Sequence, residues 1–334
     1  MTRRLLYIFL MIMQVLVTGA CKKGVEPNGQ GNGQGNGNQG SGNQGTNNQG
    51  EPITLTVATY NVLKPKGRRD EMSLDNLTVR QTLAKAIAET GADIIGFNEL
   101  DENYISGGQY SLASSCSTLN YSWRLEWPND IHETSTVDYS YANGFAYNKA
   151  KLILKECTYV WLSKTENVWY TDASSAYLKV GSPERTCIRA KFQHSSGKLF
   201  WMFVTHLPTD SQGGAENMAK VVNRYANLSA GDLPAILTGD MNSAPGSAAY
   251  LNLTSYWQDG NSDATWGTLS GSSAKYYYSV ETFTTKHVDR RIDHIMTRGC
   301  TATDYQLVKT TYTSGGKQWC PSDHLPVKAT VTIL

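Results

Sequence analysis

Asp93-Ile94-Ile95-Gly96-Phe97-Asn98-Glu99 sets a short apolar run between two acidic residues. A run of this length, rich in branched side chains and following the breaker Gly91, reads as a strand rather than a helix. Its core does not alternate between apolar and polar, so both faces are expected to be covered, as inside an α/β sandwich. The strand would deliver Glu99 to one edge of its sheet.

The segments on either side extend the pattern. Ile53, Leu55 and Val57 alternate with Thr54, Thr56 and Ala58, predicting a strand that runs into Tyr60-Asn61-Val62. Residues 75–90 read as a helix, with Asp75 or Asn76 as cap, Val79, Leu83, Ala86 and Ile87 on one face, and Gly91 as stop. Further strands are predicted at 123–127, 144–147, 152–162, 186–192, 199–206, 234–238, 291–296 and 327–334, with a helix at 215–228. Strands dominate and helices intervene, which predicts a mixed α/β sandwich and not a barrel of regular βα units.

The N-terminus reads differently. Arg3 and Arg4 precede an apolar run from Leu5 to about Val17, too short for a permanent membrane span of roughly 20 residues. With the small residues Thr18, Gly19 and Ala20 it predicts a secretory signal peptide over residues 1–20. Cys21 directly follows and is expected to carry the lipid of a bacterial lipoprotein, although Thr18 stands where leucine is usual. Residues 21–50, nearly all Gly, Asn and Gln beyond Gly24, cannot bury enough surface to offset their ordering entropy and predict a disordered tether. Residues 51–334 would then form the folded domain, on the cell envelope, at the outer membrane or cell surface, and as a monomer.

Composition narrows the chemistry. Thirty Lys and Arg against 29 Asp and Glu give a net charge of +1, and no long basic run appears, so general tight nucleic-acid binding has no support here. Six cysteines occur, none as C-x-x-C, which argues against a structural zinc site and leaves room for one or two disulfides in an oxidising compartment. Polar residues recur at strand ends: Asn61, Glu99, His206, Asp240 with Asn242, Asp293, and Asp323 with His324. One strand-end Asp or Asn is usually a turn former. Six such places of mixed carboxylate, amide and imidazole type, converging on one rim, have the makings of a hydrolytic site.

Thr59-Tyr60-Asn61-Val62, Asp93 to Glu99, Thr205-His206-Leu207, Gly239-Asp240-Met241-Asn242-Ser243, Arg291-Ile292-Asp293-His294-Ile295 and Ser322-Asp323-His324-Leu325-Pro326 resemble, in order, the motifs of the endonuclease/exonuclease/phosphatase family. The resemblance spans nearly the whole domain and implies the deoxyribonuclease I-like fold, a four-layered α/β sandwich of two packed mixed sheets flanked by helices. It also implies metal-dependent hydrolysis of phosphoesters. Glu99 would be the main ligand of Mg²⁺ or Mn²⁺, with Asn61 beside it and Asp323 contributing. His324 would pair with Asp293, Asp240 would orient or deprotonate water, and Asn242 and His206 would hold the phosphate.

Two departures stand out. Asn98 replaces the usual Gln before the metal-binding Glu, and Asn143 stands where deoxyribonuclease I-like members set a second carboxylate against the first histidine. Substrates implied by the resemblance are nucleic acid, a phospholipid head group such as sphingomyelin, or a phosphorylated sugar or inositol, with a lean towards a nuclease or phosphodiesterase. A catalytically retired surface binding protein is the alternative of another class. Tyr276–Tyr278, Trp123 and Trp127 are read mainly as packing, and Arg290-Arg291 as either strand residues or phosphate contacts.

Overall fold

A computed structural model describes residues 51–64, 73–100, 104–105, 111–125, 142–164, 177, 185–261, 277–278 and 291–334. The residues expected to form a signal peptide and tether, with Cys21, Trp127, Arg290 and most of the 165–184 stretch, lie outside them, as do the side chains of Tyr276–Tyr278. In chain order the elements are β1 (Ile53–Asn61), α1 (Leu77–Thr90), β2 (Ile94–Asn98), α2 (Leu112–Ser115), β3 (Tyr121–Leu125), β4 (Asn143–Asn148), β5 (Leu152–Trp161) and β6 (Thr186–His194). They continue with β7 (Leu199–Thr205), α3 (Ala215–Ala230), β8 (Ala235–Asp240), α4 (Ala248–Thr254), β9 (Gln258–Asp259), β10 (Tyr277–Tyr278), β11 (Asp293–Arg298), β12 (Thr301–Leu307), β13 (Tyr312–Ser314), β14 (Lys317–Trp319) and β15 (Val327–Ile333).

Two six-stranded sheets form the centre, ordered β12-β15-β1-β2-β4-β3 and β5-β6-β7-β8-β11-β9, beside a small β10-β14-β13 sheet. Both large sheets are mixed. In the first, β1 and β2 are parallel and joined through α1; in the second, β7 and β8 are parallel and joined through α3. Leu55, Val57, Ile94, Phe145, Phe192, Met202, Val204, Ile236 and Val331 fill the space between the sheets. Val79, Leu83 and Ile87 of α1 cover the outer face of the first sheet, and Met218, Val222 and Ala226 of α3 cover that of the second. The four-layered sandwich is therefore present: helix, sheet, sheet, helix.

Local chemistry explains the boundaries. Asn76 caps α1 by accepting the Thr78 N–H, and Gly91 ends it in the left-handed conformation at φ 59°. The strand expected at 123–127 instead covers Tyr121–Leu125, and that expected at 291–296 begins only at Asp293. Strand β12 is not legible in the sequence because a register shift between Thr303 and Gln306 breaks the alternation of Ala302, Tyr305 and Leu307, which pack on the core between the sheets. Among the described residues, Cys116, Cys157, Cys187, Cys300 and Cys320 are free thiols, so the expected room for disulfides is not used by them. Burial pushes the Cys116 and Cys187 thiols up to about 12.

The backbone is closely packed near the strand ends, both between the sheets and between β7 and β8. A Cβ on Gly96 would lie 2.2 Å from Thr238 Oγ1, and one on Gly239, at φ 150°, would lie 1.8 Å from the Thr205 carbonyl oxygen. Only a bare backbone fits between β7 and the end of β8. Gly239→Ala should therefore cost at least about 3 kcal/mol. Gly91→Ala, left-handed but with nothing within 4 Å of the new methyl, should cost only about 1–2 kcal/mol. Urea unfolding of both variants checks the contrast.

Candidate active site

Register brings the polar strand ends together. Asn61 and Asn98 are paired at the ends of parallel β1 and β2, and Asp293 is paired with Asp240 across β11 and β8. His206 follows β7 directly, and His324 lies just before β15, which runs antiparallel to β1. All eight sequence-predicted site residues thus lie at this rim. Asn61, His206, Asp240, Asp293 and His324 are buried, while Glu99, Asn242 and Asp323 are partly exposed.

Asn61 is the junction of the acidic side. Its Nδ2 donates to Glu99 Oε1 at 3.2 Å and to Asp240 Oδ2 at 3.1 Å, and its Oδ1 accepts the Leu63 N–H. The second Glu99 oxygen accepts the Lys64 N–H at 3.1 Å. Glu99 sits at φ 55° and Asn242 at φ 45°. Such left-handed conformations cost non-glycine residues of order 1–3 kcal/mol and persist where surrounding contacts enforce them.

The imidazole side is built on His324. Its Nδ1 lies 2.7 Å from Asp293 Oδ2 and must carry a proton, because a carboxylate oxygen only accepts. That fixes the tautomer and leaves Nε2 facing Asp240 Oδ2 at 3.6 Å. Ser322 tethers the loop by donating to the Asn61 carbonyl at 2.7 Å and accepting the His324 N–H at 3.2 Å. Burial alone would lower the His324 pKa, but Asp293, Asp240 and Asp323 raise it well above the ordinary histidine value. Burial alone would raise the Asp240 carboxyl, but His324 and His206 hold it well below the usual carboxylate range.

His206 Nε2 faces Asp240 Oδ2 at 3.3 Å and Asn242 Nδ2 at 3.0 Å. The Asn242 amide also donates to the Leu207 carbonyl at 2.9 Å, and its backbone N–H donates to Asp240 Oδ1 at 2.8 Å. Asn242 is therefore held by both its side chain and its backbone at the open face of the rim.

The two departures seen in the sequence turn out to be coupled. Buried Asn98 accepts the Asp240 N–H at 2.7 Å and donates to the Thr205 carbonyl at 3.0 Å and to Asn143 Oδ1 at 2.8 Å. Asn143 donates onward to the Thr186 carbonyl at 3.0 Å. Asn143 is thus bonded to Asn98 and Thr186, whereas the resemblance set its position against His206. Arg291, just ahead of β11 and so not part of the strand, is buried and paired with Asp259 at 2.7 Å. Asp259 itself was missed, since an acid after Gln258 in a two-residue strand carries no periodic signal.

The donor set suits a hard divalent cation. Two carboxylates, Glu99 and Asp240, share one neutral amide nitrogen, and Glu99 is open enough for water to complete a shell. Asp240, Asp293 and His324 also lie close enough to form a cation site among the described residues. The Asp293–His324 side of that group is already occupied by a proton in a short hydrogen bond. The Asn61–Glu99 side is the better fit. Asp323 precedes His324 and its charge helps raise the pKa of that imidazole.

A buried acid–imidazole cluster on one rim of a four-layered α/β sandwich defines a hydrolase-type site. The sequence model of the endonuclease/exonuclease/phosphatase family matches residues 58–324, and the chain belongs to that family. Membership supports phosphoester hydrolysis as its chemistry. Solved structures share the fold. A family protein from Bacteroides thetaiotaomicron is 22% identical with a TM-score of 0.68, the match covering 85% of this chain and 99% of that one. A mannosyl-6-phosphatase from the same organism is 20% identical with a TM-score of 0.66, covering 83% and 99%. TDP2 of D. rerio, solved with a single-strand DNA product, is 17% identical with a TM-score of 0.58, covering 83% and 98%. A search of curated proteins finds no match.

The shifted groups predict a pH signature. A histidine whose folded pKa is raised contributes stability that is fully present below its unfolded value of about 6.5 and is lost as pH rises through the folded value. In chelator, the melting temperature of the wild type should therefore exceed that of His324→Gln most at neutral pH and below. The gap should narrow at alkaline pH, as thermal melts across that range would show.

Proposed function

We propose that this protein is a divalent-metal-dependent phosphoester hydrolase, held at the cell envelope by a lipid on Cys21. The observation that carries the catalytic reading is the His324–Asp293 pair facing an ionised Asp240, one amide away from Glu99. Glu99 and Asn61 would hold Mg²⁺ or Mn²⁺, with Asp323 near by; when bound, the cation would neutralise phosphate charge and stabilise the leaving oxygen.

The chain's own groups divide the remaining work. Asp240 stays ionised beside two imidazoles and can orient water or accept its proton. His324, whose pKa is raised by Asp293 and Asp240, binds the phosphate or supplies a proton, its ring oriented by Asp293. The Asn242 amide and His206 donate to phosphate oxygens as charge builds in the transition state. A retired binding scaffold is disfavoured because Glu99, Asp240, Asn242 and His324 are all retained.

For the substrate we favour a phosphorylated sugar over nucleic acid, a shift from the lean that sequence alone suggested. The near-neutral charge gives little counterion-release affinity for a polyanion. The B. thetaiotaomicron neighbour is a mannosyl-6-phosphatase with the same fold. The test is hydrolysis by the full chain of mannose 6-phosphate, inositol phosphates, bis-p-nitrophenyl phosphate, sphingomyelin and plasmid DNA, with Mg²⁺ or with chelator. Turnover should need the cation, fall to background in Glu99→Ala, and drop about 10²–10⁴-fold in His324→Ala. Chelator-resistant turnover would sink the metal reading, and selective cleavage of DNA would reverse the substrate preference.

The anchor has its own check. Cells expressing the full chain and fed radiolabelled palmitate should label the protein, and Cys21→Ser should abolish the label. An unlabelled wild-type chain released to the medium would leave secretion without a lipid.

A further inference from the structure

A second buried polar cluster lies on the other side of β11. Successive strand residues point to opposite faces. Asp293 turns towards His324, so His294 turns away from it, towards α4. There His294 Nε2 lies 3.0 Å from the Ser243 carbonyl oxygen, and its Nδ1 lies 3.6 Å from Asp259 Oδ2. A carbonyl oxygen only accepts, so Nε2 must carry a proton and donate it to Ser243.

Asp259 is firmly placed. It accepts hydrogen bonds from Arg291 Nη1 at 2.7 Å, the Tyr250 hydroxyl at 2.9 Å and the Asn261 N–H at 3.0 Å. The Tyr250 ring packs on the His294 imidazole with centroids 5.4 Å apart, and the Arg291 guanidinium lies 6.0 Å from the Tyr250 ring centre. Among the described residues, no hydrogen bond joins these side chains to those of the catalytic rim. The link runs through the backbone.

That link is the turn at Asn242, whose φ of 45° needs external support. On one side, the Met241 N–H donates to the Ile292 carbonyl at 2.7 Å. On the other, the Ser243 carbonyl accepts from His294. The short segment Ile292–His294 therefore clamps the turn at both ends, while also carrying Asp293. The geometry points to His294, backed by Asp259, as a positioning residue that keeps Asn242 turned so that its amide faces the phosphate. Arg291 and Tyr250 act one step further out by fixing Asp259. The inference rests on the reading of Asn242 as a phosphate ligand.

A double-mutant cycle tests it in the full-length protein, using the fastest substrate of the panel above. His294→Phe keeps a ring against Tyr250 and removes the donor. It should lower kcat about tenfold with KM within about twofold, because the aligned amide acts on the transition state. In an Asn242→Ala background the same substitution should cost less than about twofold, since the group it positions is gone. His294→Gln, whose amide can still donate to Ser243, should recover most of the loss. If His294→Phe does not fold, Asp259→Asn takes its place in the cycle with the same expected pattern.

A tenfold loss that persists undiminished without Asn242 would overturn the positioning role and leave the catalytic reading standing. So would full activity in His294→Phe. Wild-type activity in Asn242→Ala would overturn the reading of Asn242 and this inference with it.

Discussion

The buried amide of Asn98 is the constraint on which the rest of the site depends. It leaves β2 of the first sheet and bonds the Asp240 N–H and the Thr205 carbonyl of the second sheet, at 2.7 and 3.0 Å. A buried amide left unsatisfied costs about 1–3 kcal/mol per lost partner, so the two sheets are specified in one relative position, not merely pressed together. Gly96 makes this possible by removing a side chain that would hold the sheets apart at Thr238, and Gly239 lets the end of β8 close against Thr205 of β7 within the second sheet. Hydrophobic burial supplies the attraction between the layers. The amide and Gly96 decide where along that apolar surface the layers stop.

Once the sheets are fixed, the electrostatics of the rim follow. Asp240 and Asp293 would be poorly tolerated as isolated buried carboxylates. Each is matched instead by an imidazole, and Asp240 also by the Asn61 amide and the Asn242 N–H. Burial and pairing act in opposite directions on both His324 and Asp240, and pairing prevails for each. The result is a preorganised set of donors and one ionised acceptor, with Glu99 and Asn242 at the exposed side. Both of these residues hold unfavourable backbone conformations that their neighbours enforce.

Much of this was legible along the chain. The run from Ile94 to Asn98 and the capped helix before it gave the first strand–helix–strand unit almost to the residue. The ordered strand-end residues marked the rim because a residue that ends an apolar strand must lie at a sheet edge. Less was legible where apolar pattern is weak. The edge strand β12 has its alternation broken by a register shift, and the seven-residue α4 and the two-residue β9 bury too little to show a period. Asp259 is carried on one of these, and so its role could not be read.

By itself the sequence determined the α/β class, the order of the strongly apolar elements and which polar residues reach the shared rim. Periodicity and strand ends are local properties, fixed within about ten residues of chain. Tertiary structure alone decided the partners: Asn143 with Asn98, Arg291 with Asp259, His294 with the Ser243 carbonyl, and five cysteines left as thiols. These contacts join segments as far apart as Asn98 and Asp240, 142 residues along the chain. Their geometry depends on strand register and on the spacing between two sheets, and no local stretch of sequence encodes either.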